Sequence, residues 1–301
     1  MINDYKYRSY KNIASMFEEN GETLKSISFY EKAYNESFGK KDVELLIKLA
    51  LLYDEVDELD KSENMYNQVI ILNPEEARAY YGLGTVKDNM GDLAEAINLY
   101  KKAIEIDNDY EKAYFFMANA YDELGEKEVA IENYLKAIEI QPMDFWAHVN
   151  LASIYEELNN NEEALEEIET ALIINGNNYL ALFNAGVINK KLGNIPKAKE
   201  YYQKSIESES FYGYSYLNLA LLYKMEKEYE EAIEILSNGI KYNPEECSLY
   251  YNRACILCNV GRLEEAAEDM RKGIKLYPKF IEYVKRDKEL RTIKKFFFAN
   301  D

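Results

Sequence analysis

The chain has 301 residues, with 55 acidic against 36 basic side chains for a net charge of −19, one His, three Cys and 28 Tyr. That acid excess excludes nucleic acid and an anionic membrane surface as main partners, because binding phosphates needs a basic footprint that repays counterion release. No window approaches 18 uninterrupted apolar residues, so a membrane-spanning helix is excluded.

Set against itself at a 34-residue offset, the chain divides into eight units, 7–42, 43–76, 77–110, 111–144, 145–178, 179–212, 213–246 and 247–280. A period of this length marks a repeat array. Position 8 of every unit is small: Ala14, Ala50, Gly84, Ala118, Ala152, Gly186, Ala220 and Ala254. Position 20 is small as well, with Ser26, Ser62, Ala96, Ala130, Ala164, Ala198, Ala232 and Ala266. Apolar spacing between these markers is helical, as in Tyr114, Met117, Ala118 and Tyr121, then Ala130, Tyr134 and Ala137. Each unit therefore predicts a helix, a turn and a second helix, the small positions letting the two helices approach and an aromatic at 4, 11 or 24 filling the space between units. Position 15, in the turn, is Gly21, Gly91, Gly125, Gly193 and Gly261 in five units, as a residue tolerant of positive φ should be. Position 32 is Pro74, Pro142, Pro244 and Pro278 in four, and Pro196 falls at a helix start, where its missing N–H costs nothing.

The first unit carries two extra residues before the second begins. After residue 280 the stretch IEYVKRDKELRTIKK begins a ninth unit without its small positions, and 281–301 is expected to be a capping helix and tail, its six Lys/Arg supplying a polar outer face. Phe296, Phe297 and Phe298 are expected to pack beneath that cap; left exposed, they would promote self-association. Residues 1–301 are expected to form a single domain.

The marker residues resemble the tetratricopeptide repeat family, whose pattern is W-x2-L-G-x2-Y, then A-x3-F, A and P. Unit 111–144 carries it best, in Tyr114, Ala118, Tyr121, Gly125, Ala130, Tyr134, Ala137 and Pro142. The resemblance implies an all-α, right-handed superhelical solenoid, and it implies that positions 2, 5, 6, 9, 12 and 13 of each first helix line a concave groove that binds an extended peptide or protein segment.

At position 6 four successive units place Asn150, Asn184, Asn218 and Asn252, with Asn119 at position 9 of an earlier unit. An amide offers donor and acceptor, so this row could hold the backbone of an extended ligand. It is similar to the asparagine ladder in the repeat domain of O-linked N-acetylglucosamine transferase. Tyr81, Phe115, Phe116, Trp146, Phe183, Tyr214 and Tyr251 add an apolar strip on the same face, of the kind that anchors partners. Residues 43–178 hold 30 acidic and 9 basic side chains, against 18 and 20 in 179–301. Asp122, Glu123, Glu156 and Glu157 form an acidic lip at positions 12 and 13, followed by Lys190, Lys191 and Lys224. A basic or apolar segment is the expected partner. Lys11, Ser15, Lys48, Arg78 and Gly82 only partly match the carboxylate clamp of chaperone-tail-binding family members.

Chemistry is sparse. His148 occupies position 4, an aromatic core site, and reads as a packed ring. Cys255 and Cys258 lie mid-helix, where no helix N-terminus stabilises a thiolate, and zinc would need two more ligands. No phosphate loop, dinucleotide fingerprint or nucleophile elbow occurs. The expectation is a non-catalytic interaction module without cofactor or metal. A scaffold assembling through its ends or convex face is the alternative, and the oligomeric state stays open between monomer and weak self-association. Three cysteines without a disulfide spacing, and an opening MINDYKYRSY without the apolar run of a secretory signal, suggest the cytoplasm.

Overall fold

The computed structural model describes residues 2–298, and every regular element among them is helical. The chain divides into two compact units, Met1–Ala147 and His148–Asp301. The first holds α1 (Ile2–Glu19), α2 (Thr23–Tyr34), α3 (Val43–Glu55), α4 (Leu59–Leu72), α5 (Ala77–Asn89), α6 (Leu93–Ile106), α7 (Glu111–Glu123) and α8 (Lys127–Ile140). The boundary falls within α9 (Phe145–Glu157). The second unit continues with α10 (Asn161–Ile174), α11 (Tyr179–Lys191), α12 (Ile195–Ser208), α13 (Gly213–Met225), α14 (Tyr229–Tyr242), α15 (Cys247–Asn259), α16 (Leu263–Leu276) and α17 (Phe280–Arg286).

Within each unit consecutive helices pack in pairs, α1 on α2, α3 on α4, α5 on α6 and α7 on α8, then α11 on α12, α13 on α14 and α15 on α16. The small residues explain the pairing. The alanines and serines at positions 8 and 20 have no solvent exposure. At this separation the Ser26 hydroxyl donates to the Ala14 carbonyl at 2.9 Å, and Ser62 donates to Ala50 at 2.8 Å, so even the polar members are satisfied across the helix pair. Position 24 supplies the bulk. Tyr66, Tyr100, Tyr134, Tyr202 and Ile168 are among the largest fully buried side chains, each contributing about 2 kcal/mol or more by burial. Gly84 and Gly186 stand at position 8 where these rings press closest: a Cβ there would lie 2.6 Å from Tyr100 and Tyr202 respectively.

The turn position behaves alike in all eight repeats. Gly21, Gly91, Gly125, Gly193 and Gly261 have φ between 70° and 80°, and Asp57, Asn159 and Lys227 hold the same conformation at φ 61°, 62° and 66°. Three repeats thus tolerate a side chain where the backbone favours glycine. The two extra residues of the first repeat are taken up around a 3-10 turn, Gly39–Lys41, and α1 begins at Ile2, ahead of the repeat register.

The C-terminal cap differs from the capping helix expected of IEYVKRDKELRTIKK. α17 ends at Arg286, Asp287 turns extended, and the chain resumes as a 3-10 segment, Arg291–Phe296. The break is local: the Asp287 carboxylate accepts the Glu289 N–H at 2.8 Å, a turn that competes with helix. Val284, Leu290 and Ile293 are fully buried against the last repeat, and Phe296, Phe297 and Phe298 pack half-buried on the same cluster, as expected of the aromatic run. Residues 299–301 of the expected tail lie outside the described residues.

Lys227 in the left-handed region carries a cost of about 1 kcal/mol that glycine would not. Lys227→Gly is therefore expected to raise the thermal midpoint followed by far-UV circular dichroism, by roughly 2–4 °C for a unit of this size. Gly125→Ala is expected to lower it by a similar amount; equal midpoints for all three proteins would refute the strain.

Candidate functional site

The first helix of each pair carries the expected groove positions 2, 5, 6, 9, 12 and 13, and burial is graded across them. Position 2 is most open: Trp146 is 46% and Tyr214 57% exposed. Position 5 is largely covered, because an aromatic at position 34 closes over it. Tyr81 meets Tyr110 with ring centroids 5.2 Å apart, Phe183 meets Tyr212 at 5.2 Å, and Tyr251 meets Phe280 at 5.6 Å. These position-34 rings were missed in the sequence, although Tyr110, Tyr212 and Phe280 recur one residue before position 1.

In the first unit Phe115, Phe116 and Tyr81 are half-buried and share edges with Tyr100 and Tyr134. The Tyr134 phenol donates to the Asn119 side-chain oxygen, so this amide also braces the layer. Asp122 accepts from Lys127 at 2.5 Å, while Glu123 is exposed. The cations of the clamp comparison are engaged too: Lys11 with Asp42 at 2.6 Å, Lys48 with Glu18 at 2.5 Å, and Arg78 with Glu44 at 2.6 Å and Glu76 at 2.7 Å.

In the second unit all four asparagines are half-buried. Asn218 Nδ2 donates to the Tyr214 carbonyl at 3.0 Å and Asn252 Nδ2 to the Ser248 carbonyl at 2.9 Å, each one turn back on its own helix. Asn184 Nδ2 donates to Ser153 Oγ at 3.1 Å, a position-9 partner absent from the sequence reading. These bonds orient the amides and use one N–H of each. Phe183, Tyr179, Tyr212 and Tyr214 form a contiguous aromatic patch beside the row, with Tyr212 at 5.0 Å from Tyr179 and 5.5 Å from Tyr214. Glu156 pairs with Lys191 at 2.6 Å, and Glu157 is exposed. The Tyr251 phenol donates to Asp287; burial first, then that bond, pushes its pKa up.

His148 is buried, its Nδ1 2.5 Å from Glu167. Burial pushes the thiols of Cys255 and Cys258 up, which favours the unreactive form. Among the described residues no three His, Cys, Asp or Glu side chains are grouped as metal ligands, and no helix is long and apolar enough to cross a membrane.

A ladder of paired helices with covered small positions and one graded outer face defines an all-α helical-repeat protein. Repeat models agree: a TPR repeat model matches 89–125 and 118–159, and tetratricopeptide repeat models match 147–178, 179–211, 213–246 and 247–280. The chain belongs to the tetratricopeptide repeat family. The helix pairs before residue 77 lie outside the matched spans yet keep the same buried small positions. No curated protein matches the chain. Among solved structures, a tetratricopeptide repeat protein from Parabacteroides merdae is similar with a TM-score of 0.59 and 22% identity, over 84% of this chain and 97% of that one. The APC/C hetero-tetramer Cut9-Hcn1 gives 0.58 and 16%, over 91% of this chain and 52% of that one. YrrB, a TPR protein with an unusual peptide-binding site, gives 0.51 and 23%, over 66% and 97%. At these identities the likeness is one of fold.

Glu111, in the first unit, titrates well above the ordinary carboxylate range. Burial, followed by the hydrogen bond and charge of Asp144, pushes the Glu111 pKa from its ordinary 4.5 up to about 7. The fold holds that proton where the unfolded chain releases it, so this group's contribution to stability declines as pH rises from 4.5 to about 7 and is flat above. Asp144 also accepts the Ala147 N–H at 2.9 Å at the start of α9, so Glu111 is the residue to change. Glu111→Gln is expected to be neutral at pH 5 and to stabilise at pH 8 by about 1 kcal/mol, discounted for solvent screening. Parallel denaturation midpoints across that range would show no interaction.

Proposed function

We propose that the chain is a non-catalytic protein-interaction module, and that the first-helix face of its second unit takes an extended segment of a partner protein. The observation that supports this most directly is the row Asn150, Asn184, Asn218 and Asn252, one per repeat on α9, α11, α13 and α15. Asn184, Asn218 and Asn252 are oriented by the bonds described above, and their carbonyl oxygens have no hydrogen-bond partner among the described residues. An extended strand presents main-chain donors at regular spacing, which such a row can satisfy without reading sequence. Specificity would come from side chains seated against Phe183, Tyr212 and Tyr214. That YrrB is described as having a peptide-binding site fits this reading. The equivalent face of the first unit offers Trp146, Glu123 and the rim of the Tyr81–Phe115–Phe116 layer, more closed by its own packing and suited to a basic or apolar segment.

The assembly alternative draws less support, since Phe296, Phe297 and Phe298 are half-buried against the last repeat. The free thiols Cys247, Cys255 and Cys258 fit a cytoplasmic setting.

Affinity capture from a lysate with the intact protein and with the Asn184→Ala, Asn218→Ala double variant tests the proposal. Loss of two hydrogen bonds to a strand is expected to weaken partner recovery by about tenfold or more, with an unchanged circular dichroism spectrum. A partner retained equally by both proteins would move the contact elsewhere on the molecule.

A further inference from the structure

The second helix of each repeat packs on the first helix of the next, α2 on α3, α4 on α5 and α6 on α7, then α10 on α11, α12 on α13 and α14 on α15. Positions 3, 7 and 10 of the first helix share one face by their spacing and receive that neighbour. Ala113, Met117 and Ala120 of α7 are buried in one cluster with Ala96, Ile97, Tyr100 and Ala103 of α6, and Leu219 and Leu222 of α13 with Ala198 and Tyr202 of α12. Position 10 is apolar and at most 5% exposed in all seven later repeats, from Leu52 to Ile256. In the first repeat the same position is Met16, and it is 63% exposed. Ser9 and Ile13, at positions 3 and 7, are half-buried where Leu45 and Leu49 of the second repeat are fully buried.

The first repeat does not turn this stripe into the polar face that ends a repeat array in water. Tyr5, one turn before Ser9 on α1, is 76% exposed, and Leu24 in the first turn of α2 is 72% exposed. Leu24 stands at position 18, where the later repeats carry an acid, an alanine or a proline. Lys32 and Lys25 lie over the Phe29 and Phe17 rings, at 4.0 and 5.3 Å, and shield part of the end, while Met16, Leu24 and Tyr5 stay in water. The last repeat is finished differently. Val284, Leu290 and Ile293 are buried against it, and the Lys224 ammonium of α13 holds both oxygens of Glu289, at 2.7 and 2.8 Å, so the chain covers that end itself.

We propose that the end face of the first repeat, Tyr5, Ser9, Ile13, Met16 and Leu24, is a self-association surface on which a second copy of the chain seats the same face across a two-fold axis. Three observations select that occupant. The stripe continues the interface that later repeats make with a helix of this same chain, so its chemistry already suits these sequences. Residues 1–42 hold 7 acidic and 7 basic side chains in a chain of net charge −19, so two copies meet here without the repulsion that their acidic repeats would bring. The covered C-terminal end denies a head-to-tail neighbour its place, so the contact pairs like with like and closes at two. None of Asn150, Asn184, Asn218 and Asn252 takes part, and the dimer adds a second surface to the peptide-binding face.

Sedimentation equilibrium of the full chain over a wide concentration range tests the proposal. The mass is expected to rise from that of one 35.2 kDa chain to that of two and to stop there. The Met16→Glu, Leu24→Glu double variant changes two exposed side chains, so it is expected to keep the circular dichroism spectrum and to weaken the dimer by about tenfold or more, the effect of burying carboxylates without partners. Ile173→Glu, at an apolar side chain 81% exposed on α10, is expected to leave the dimer unchanged. A parent protein that keeps the mass of one chain throughout would overturn the assignment and leave the face to another protein or to none. Association that continues past two copies would overturn the two-fold contact in favour of open stacking. A dimer that survives the double variant, or that Ile173→Glu weakens as much, would place the contact away from α1 and overturn it as well.

Discussion

The approach of the two helices at positions 8 and 20 governs almost everything else in each repeat. Two helices whose contact residues have no exposure and no side chain beyond Cβ or a hydroxyl sit near the lower limit of helix separation. The turn between them is then too short for a relaxed loop, and position 15 must adopt positive φ whether or not it is glycine. The same closeness presses the large side chain at position 24 against the first helix, where Gly84 and Gly186 make way for its ring by giving up their Cβ. What remains outside this contact includes the outer stripe of each first helix, where the asparagine row stands.

Placing tyrosine rather than phenylalanine at position 24 has an electrostatic consequence. A buried phenol needs an acceptor, and burial, then the Glu18 hydrogen bond, push Tyr30 up to about 12, so it stays a donor throughout the physiological range. Part of the acid excess is therefore structural: Glu18 and Asp88 serve a core hydroxyl as well as solubility. Where position 24 is Leu236 or Met270 the requirement vanishes, and position 12 becomes Lys224 or Cys258. The fifth and sixth repeats break that correspondence, Ile168 standing with Glu156 and Tyr202 with Lys190.

The fold was legible because its determinants are small residues at fixed spacing, which any side-chain size comparison exposes. Ala14, Ala50 and their equivalents told where the helices touch, and five glycines told where the chain turns. Asp57, Asn159 and Lys227 carried no such signal, since a repeat already held by its neighbours can impose positive φ on any residue. The candidate face was legible as a set of positions and not as a surface. Position 5 reads as exposed and apolar until the ring at position 34 closes over it, and that contact joins residues 29 apart at opposite ends of a repeat. The acids at Asp122 and Glu156 likewise read as a free lip, but Lys127 and Lys191 reach them from the next turn and the next repeat.

The C-terminal segment shows the same limit most clearly. Its hydrophobic content, Val284, Leu290, Ile293 and three phenylalanines, is what a cap needs, and a continuous helix was the simplest way to deliver it. A straight helix would carry Leu290 and Ile293 along the direction set by α17. The extended residue at Asp287 instead redirects the chain so that both side chains become fully buried against the last repeat. The cost of stopping the helix is offset locally by the Asp287 carboxylate, which caps the new turn at the Glu289 N–H and accepts the Tyr251 phenol. One acidic residue thus ends α17, covers a position-5 ring and delivers Glu289 to Lys224, so closing the core and occupying the outer face are consequences of the same break. A cap that only shielded the core would need no carboxylate on that face.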